Sequence, residues 1–256
     1  MQNKIKLSII GTRGVPARYG GFETFAQEIS LIFIENGYQV LVVGDSSNHD
    51  NLNHDNFINI LNSRFSKPDN PLLFYFDSFR ISKNWGANII ISCGVGGSVF
   101  SRFFQSKNTV VINNPDGLGF MRNKYSSFKR FLFKLLYIIS AKTEKYIICD
   151  SVGIRDYYLN NFRRNNNVFV AEYGTHINPF YKTKKIVDFN FDAFKPNNYY
   201  LVVSRLEPEN NVELIIKAYL LSNQLFPLVV VGNINTPHSK YLQKYSSKNV
   251  LFIGGV

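Results

Sequence analysis

A glycine-rich segment, Gly11–Gly21, lies between the first predicted strand and the first predicted helix. Its glycines let the backbone approach a ligand closely, and Arg13 and Arg18 add positive charge, which suits a phosphate or a sugar. Glu23, in the first turn of the helix, would cap that turn or accept hydrogen bonds from sugar hydroxyls. The segment matches neither the dinucleotide-binding fingerprint nor the P-loop, and an ordinary turn that needs glycine is the alternative interpretation.

Two loops in the middle of the chain also follow predicted strands, where open parallel sheets bind their ligands. The loop Gly94–Ser98 is explained equally well by a tight strand-to-helix turn. In the other loop, the Asp116 carboxylate could orient a substrate hydroxyl or assist proton transfer. An aspartate before a glycine is also a common turn pair, so a purely structural role stays open.

The last candidate loop, Ser204–Asn211, joins a predicted strand to a predicted helix. Arg205 is placed to reach a diphosphate, and Glu207 or Glu209 could meet a ribose or sugar hydroxyl. The alternative is that Asn210 or Asn211 only caps the helix while the arginine pairs on the surface.

Several other chemistries lack their motifs. The four histidines are scattered, and neither Cys-x-x-Cys nor Asp-x-Asp occurs, so a built-in metal site is not expected. The absence of Gly-x-Ser-x-Gly argues against a hydrolase nucleophile. Cys93 and Cys149 lie in apolar runs, which predicts buried thiols rather than a disulfide framework.

The elements that would position these loops alternate between strand and helix. The first strand, the glycine loop, a helix and a second strand form a βαβ unit, which requires a parallel pair and a right-handed crossover. Repetition of the pattern predicts an open, mostly parallel α/β sheet of Rossmann type. Strands are predicted at 5–10, 39–43, 88–93, 109–113, 146–149 and 168–171, and helices at 22–36, from about 98 to 104, and 126–142.

A polar stretch, 176–198, interrupts this alternation and predicts a linker. Strands at 199–203, 228–231 and 250–253 and a helix at 212–221 then begin a second α/β unit. The expected organisation is a domain at 1–175, the linker 176–198, and a partial second domain at 199–256. Three strands make a poor independent core, so we expect this second domain to be incomplete.

The segment 122–145 is basic and aromatic at helical spacing. One interpretation is a crossover helix that packs its apolar residues on the sheet and leaves its basic face in water. The other is that part of this basic, aromatic face touches anionic lipid headgroups. The apolar residues are Phe128, Phe131, Leu132, Leu135, Leu136 and Ile139.

Composition sets the broad class of the protein. The chain has 256 residues, 45% of them apolar, which is typical of a folded protein. Its 29 Lys and Arg against 18 Asp and Glu give a formal charge of +11, which favours nucleotide phosphates, anionic lipids or nucleic acid as partners. No signal peptide or membrane-spanning stretch is recognisable, so a cytoplasmic location is expected, and the basic surface leaves peripheral association with the inner face of the plasma membrane open.

Four segments resemble motifs of a bacterial family-4 glycosyltransferase subgroup that includes rhamnosyltransferases of capsule and polysaccharide biosynthesis. They occur in the family's order, and the resemblance covers essentially the whole chain. Asn210 stands where many family-4 enzymes have a lysine, and Gly119 and Phe120 replace the subgroup's usual Glu and Trp. The segments are Gly11–Thr24, Asn113–Leu118, Asp150–Ile154 and Ser204–Asn211.

The resemblance implies a GT-B architecture of two Rossmann-like domains, with the acceptor on the first and the nucleotide-sugar donor on the second. It implies retaining transfer from a nucleoside-diphosphate sugar to a lipid-linked polysaccharide precursor, with rhamnose as the suggested sugar and no obligatory metal or other cofactor. By position, Asp116 would be the catalytic residue on the acceptor side, and Arg205 would bind the donor diphosphate, whose charge grows in the transition state. The remaining donor- or acceptor-binding candidates are Gly14, Arg18, Tyr19, Gly20, Gly21, Glu23, Glu209 and Asn210.

The family's paired-glutamate segment would lie beyond Val256, so the resemblance predicts a C-terminally truncated enzyme with an incomplete donor site. Such a chain could be inactive alone, or one subunit of a split glycosyltransferase whose missing C-terminal fragment is a separate polypeptide. A non-catalytic module that binds the acceptor or the membrane is the alternative. Nucleic-acid binding is not expected, since no recognition helix or base-stacking platform is present.

Overall fold

The computed structural model describes residues 4–17, 20–46, 58–122, 125–164, 167–174 and 197–255. They form two compact units. The first contains the described residues of 4–121 and 127–174. The second contains those of 122–126 and 197–255.

The first unit is built on a parallel sheet of seven strands in the order β3-β2-β1-β4-β5-β6-β7. The order reverses between β1 and β4, which places the topological switch point beside the glycine-rich segment. The strands are β1 (Lys6–Ile10), β2 (Gln39–Gly44), β3 (Ile58–Asn62), β4 (Ile89–Cys93), β5 (Val110–Asn114), β6 (Tyr146–Cys149) and β7 (Val168–Val170).

Helices cover both faces of this sheet, which explains why its central strands are nearly continuous apolar runs. Along β1, Leu7 and Ile9 pack in the core cluster that includes residues of the first helix, while Ile10 packs in a second cluster with Phe79 of the second helix. The helices are α1 (Gly21–Glu35), α2 (Pro71–Trp85), α3 (Ser98–Phe104), α4 (Ser127–Thr143) and α5 (Val152–Asn161).

The predicted strands and helices are confirmed to within about two residues at their ends. The sequence analysis did not predict β3, α2 or α5, nor the short helix Pro237–Leu242 of the second unit. Local signals for α2 are present, since Pro71 opens it and Gly86 ends it in the left-handed conformation at φ 83°. Because α2 buries serines as well as aromatic residues, its apolar periodicity is weak.

Of the two interpretations of the segment 122–145, a helix that packs all of its named apolar residues on the sheet does not describe α4, although Leu136 does pack against the core. The buried residues of this helix are Tyr137, Ser140 and Ala141. The Ser140 hydroxyl donates to Asn113 Oδ1 at 3.0 Å, so a satisfied polar group occupies the core side. The apolar periodicity of α4 therefore does not by itself identify its buried face. Phe128, Phe131, Leu132 and Leu135 are exposed.

The second unit has a parallel three-stranded sheet in the order β10-β9-β8 among its described residues. The core contains Leu206, Ile216, Leu228, Val230 and Leu242, all buried. Its elements are β8 (Tyr200–Val203), a 3-10 turn (Pro208–Asn210), α6 (Val212–Leu221), β9 (Leu228–Val231), α7 (Pro237–Leu242) and β10 (Val250–Gly254).

Candidate functional site

The glycine-rich segment begins in close contact with the neighbouring strand. Gly11 has φ 85°, and a Cβ added there would lie 2.2 Å from the Cys93 carbonyl oxygen. Only glycine fits both the backbone angle and the space. Gly14, also buried and at φ 109°, donates its N–H to Thr12 Oγ1 at 3.1 Å. Residues 11, 12, 14 and 15 are buried, whereas Gly20 and Gly21 are exposed at the start of α1.

Two side chains of α1 hold this segment in place. Glu23 is 6% exposed, and its Oε1 accepts the Arg13 N–H at 2.8 Å. One helical turn later, Gln27 Oε1 accepts the Ala17 N–H at 2.9 Å. Gly20 lies so close to Glu23 that an added Cβ would be 2.5 Å from Oε2. Glu23 therefore fixes the shape of the loop, and Gly20 leaves room for its carboxylate.

Lys67, which follows β3, joins the same edge of the sheet. Its ammonium donates to the Gly11 carbonyl and lies 5.4 Å from the centroid of the Phe22 ring. Burial lowers the pKa of Lys67, and the negative charges of Glu23 and Asp116 oppose that shift. The sequence analysis missed this lysine because nothing near it in the chain suggests a ligand.

The loop Gly94–Ser98 is explained by packing on Tyr75. An added Cβ would lie 2.9 Å from the Tyr75 hydroxyl at Gly94 and 2.5 Å from the Tyr75 ring at Gly96. The hydroxyl itself donates to the Cys93 carbonyl at 2.6 Å. These glycines make space for a buried aromatic ring, which supports the interpretation of a tight turn.

Asp116 follows β5 in a left-handed conformation at φ 60°. Its backbone N–H donates to Asn114 Oδ1 at 3.3 Å, and Asn114 Nδ2 donates to the Tyr173 hydroxyl at 3.0 Å. The Tyr173 ring lies 5.4 Å from that of Phe25 in α1. These contacts connect the loop after β5 with α1 and with the segment after β7.

Asp150 follows β6 on the same edge. Burial, and then the charge of Asp116, raise the pKa of Asp150 above its ordinary value. Its buried Oδ1 has no hydrogen-bond partner among the described residues. The first unit therefore brings two carboxyl groups and a partly buried ammonium to the carboxyl edge of its sheet, where a sugar hydroxyl could bind or lose a proton.

The second unit presents its candidate residues on one loop. Arg205 is exposed, and within the described part of the chain its guanidinium has no hydrogen-bond or ion-pair partner. Asn210 donates its side-chain amide to the Arg205 carbonyl, which fixes the backbone that carries the arginine. Glu209 is half-buried. Gly232 allows β9 to approach this loop, since a Cβ there would be 2.2 Å from the Ser204 carbonyl oxygen.

The structure thus brings together, at one edge of the first unit, Gly14, Gly20, Gly21, Glu23 and Asp116. Arg205, Glu209 and Asn210 share a loop of the second unit. Arg18 and Tyr19 lie outside the described residues, as does nearly all of the predicted linker 176–198.

Cys93 and Cys149 are buried and free. Burial raises the pKa of both thiols to about 12, so neither is a nucleophile at neutral pH. Among the described residues no group of His, Cys, Asp or Glu is arranged to hold a metal ion. No helix in the described ranges has the length and apolar character needed to cross a membrane.

Solved structures with a similar fold include glycosyltransferases and UDP-N-acetylglucosamine 2-epimerases. Sucrose-phosphate synthase from Thermosynechococcus elongatus has a TM-score of 0.77 at 16% identity, covering 99% of this chain and 71% of that one. A glycosyltransferase from Rickettsia africae has a TM-score of 0.67 at 15% identity, with 99% and 69% covered. HepE from Anabaena, solved in complex with UDP and glucose, has a TM-score of 0.62 at 13% identity, with 98% and 70% covered.

These identities establish the fold alone, and the predicted α/β fold of GT-B type is confirmed. No curated protein matches the sequence. Residues 4–69 and 83–176 match a family described as a domain of unknown function, DUF1972. Since the match extends over more than half of the chain, this protein belongs to the DUF1972 family and has a glycosyltransferase-like fold.

Proposed function

We propose that this protein is a glycosyltransferase that binds a nucleoside-diphosphate sugar through the Arg205 loop and transfers the sugar to an acceptor bound by the first unit. The observation that carries the proposal is Arg205 itself. It is an exposed guanidinium without a partner among the described residues, carried by the loop after β8 of a glycosyltransferase-like fold. A guanidinium there can bind a diphosphate through two parallel hydrogen bonds and stabilise it as it departs.

Asn210 and Glu209 complete the proposed donor site. Asn210 fixes the Arg205 backbone, and Glu209 would accept a hydrogen bond from a hydroxyl of the ribose or sugar. The sequence motifs suggest rhamnose as the sugar and retention of its anomeric configuration. They also suggest a lipid-linked polysaccharide precursor as acceptor, which would place the reaction at a membrane surface.

Asp116 is the proposed catalytic residue of the first unit. Its carboxylate would orient the acceptor hydroxyl and take its proton, with Asp150 and Lys67 supplying the local charge. Gly14, Arg18, Tyr19, Gly20 and Gly21 would form the wall of the ligand site, and Glu23 would position that wall through its bond to Arg13.

Nucleotide binding tests the donor site. Calorimetric titration with UDP, dTDP and GDP should show binding of at least one, and Arg205→Ala should weaken it about tenfold or more. Lys240→Ala removes a charge from an exposed position of the same unit and should leave affinity unchanged. If none of the three nucleotides binds, or if Arg205→Ala binds as the unaltered protein does, the donor site is wrong.

Turnover tests the role of Asp116. Release of nucleoside diphosphate from UDP-glucose and dTDP-rhamnose should be measured with and without a lipid extract that supplies acceptors. Asp116→Asn should lower the rate about a hundredfold and leave nucleotide affinity unchanged, because the residue belongs to the acceptor side. Glu35→Gln, at the exposed end of α1, is the matched control. An unchanged rate in Asp116→Asn would contradict its catalytic role.

A further inference from the structure

Helix α4 packs Phe133 and Leu136 against the core of its own unit but leaves four other large apolar side chains exposed. Phe128, Phe131, Leu132 and Leu135 are 71, 57, 44 and 40% exposed. Their spacing of three, one and three residues puts them on one side of the helix. Proteins rarely expose a contiguous apolar patch unless it contacts another surface.

A groove between α4 and α5, with a cavity of about 320 Å³, adjoins this apolar face. Lys134 and Lys142 of α4 and Arg163, just after α5, line it with three positive charges. Tyr157 and Phe162 contribute aromatic rings to its wall. No carboxylate of the described ranges forms an ion pair with any of the three cations.

Helix termini explain part of this charge. Lys142 is in the last turn of α4, and Arg163 lies beyond the end of α5, where cations interact favourably with helix dipoles. Lys134 is in the middle of α4, where no such interaction exists. Helix dipoles also give no reason for the exposed apolar side chains that begin at Phe128, six residues before Lys134, and continue to Leu135.

We propose that the apolar face of α4 and the α4–α5 groove together dock on an anionic phospholipid bilayer. A headgroup phosphate would occupy the groove between Lys134, Lys142 and Arg163. The side chains of Phe128, Phe131, Leu132 and Leu135 would enter the boundary between headgroups and acyl chains. Charge complementarity selects this occupant, because the groove offers three cations that have no ion-pair partner among the described residues, and the chain as a whole carries +11.

This surface is separate from the candidate catalytic edge. Helix α4 starts near the carboxyl end of β5 and runs back toward the amino end of β6. Lys142, in its last turn, is therefore at the end remote from Asp116, and Lys134 lies midway along the helix. The proposal builds on the proposed membrane location, but it does not depend on sugar transfer. Vesicle binding and nucleotide binding can therefore fail independently.

Co-flotation with vesicles tests the proposal. The full chain should float with vesicles of phosphatidylglycerol and phosphatidylcholine in equal parts, and not with phosphatidylcholine alone. Lys134→Ala with Lys142→Ala should reduce the partition coefficient about tenfold or more, since each cation near an anionic surface contributes to binding. Phe131→Ser with Leu135→Ser should produce a loss of similar size.

Matched controls change similar residues elsewhere. Leu214→Ser alters an apolar residue of α6 that is 66% exposed, and Lys240→Ala removes an exposed charge of α7. Both should float as the unaltered protein does. The midpoint of thermal unfolding should be the same for each variant as for the unaltered protein, because the altered residues are exposed.

Three outcomes would overturn the proposal. The first is equal flotation with both vesicle types or with neither. The second is calorimetric binding of soluble glycerol phosphate that is as tight as vesicle binding and unaffected by Phe131→Ser and Leu135→Ser, which would make the groove a site for a free phosphate. The third is binding to immobilised DNA that requires the same three cations, together with no binding to either kind of vesicle.

Discussion

The glycine-rich loop of the first unit and the Arg205 loop of the second both follow a parallel strand and precede a helix, yet they use their polar groups differently. In the first loop, Glu23 and Gln27 accept backbone N–H groups, and Lys67 donates to the Gly11 carbonyl. In the second, Asn210 holds the backbone while the Arg205 guanidinium faces solvent. The first loop is shaped before any ligand arrives, whereas the second offers a charge to its ligand.

One carboxyl group in each unit, Glu144 and Glu213, shows a related contrast in what shifts its pKa. Glu144 in the first unit is 2% exposed, and burial raises its pKa to about 7. Glu213 in the second accepts hydrogen bonds from Tyr245 and Lys217, which lower its pKa to about 2. Desolvation therefore raises the pKa of Glu144, whereas hydrogen bonds lower the pKa of Glu213.

The largest effect that we expect is from Gly11→Ala. The new Cβ would require both a left-handed backbone and displacement of the Cys93 carbonyl, at a cost of about 3 to 5 kcal/mol. Gly21→Ala is the control, because no atom lies within 4 Å of a Cβ at that position. Chemical denaturation measures both variants. Equal stability of the two would show that the first loop is not rigidly held.

Glu144→Gln should stabilise the protein at pH 8 by about 2 to 3 kcal/mol and have little effect at pH 4. The unfolded chain ionises this carboxyl near its ordinary value of 4.5, whereas the folded chain retains the proton up to about pH 7. The group's contribution to stability is therefore present below pH 4.5 and is lost as the pH rises through 7.

Glu213→Gln is the control, because the pKa of Glu213 is shifted in the opposite direction from that of Glu144. The lowered pKa of Glu213 contributes stability above pH 4.5 that is lost as the pH falls through 2. The amide should therefore not stabilise the protein at pH 8. Unfolding curves at pH 4, 6 and 8 measure both variants. If Glu144→Gln changes the stability equally at all three pH values, burial does not raise the pKa of Glu144.

Glu23→Ala should destabilise the first unit by about 1 to 2 kcal/mol, because it removes the buried carboxylate that accepts the Arg13 N–H. The exposed Glu35→Ala, on the same helix, should be neutral. Thermal unfolding and amide exchange at Arg13 are the measurements. If Arg13 exchanges equally fast in both variants, the carboxylate does not hold the loop.

Arg205→Ala should have the smallest effect on stability, within about 0.5 kcal/mol, because an exposed side chain without partners contributes little to folding. The same substitution is expected to weaken nucleotide binding. A large loss of stability would mean that the arginine has a structural role. The Arg205 loop, like the glycine-rich loop, would then use its polar groups to hold its own shape.

The strand–helix alternation was predictable from sequence because the two kinds of element have different apolar patterns. Buried parallel strands are short continuous apolar runs, whereas crossover helices repeat apolar residues every three or four positions. The α4 face was not, since its buried side contains Ser140 and its exposed side contains phenylalanines. Lys67 and Tyr173 could not be placed either. Each is more than 40 residues from the glycine loop or the Asn114 loop that it contacts, and no local pattern encodes such a contact.

The sequence by itself determined the α/β alternation, the glycine loop and the position of Arg205 after β8, because strands, turns and glycine requirements are local properties of a chain. The tertiary structure alone decided that Glu23 holds that loop, that Asp116 and Asp150 share an edge with Lys67, and that α4 presents phenylalanines to solvent. Those outcomes depend on burial and on contacts between distant residues, which only the packed fold creates.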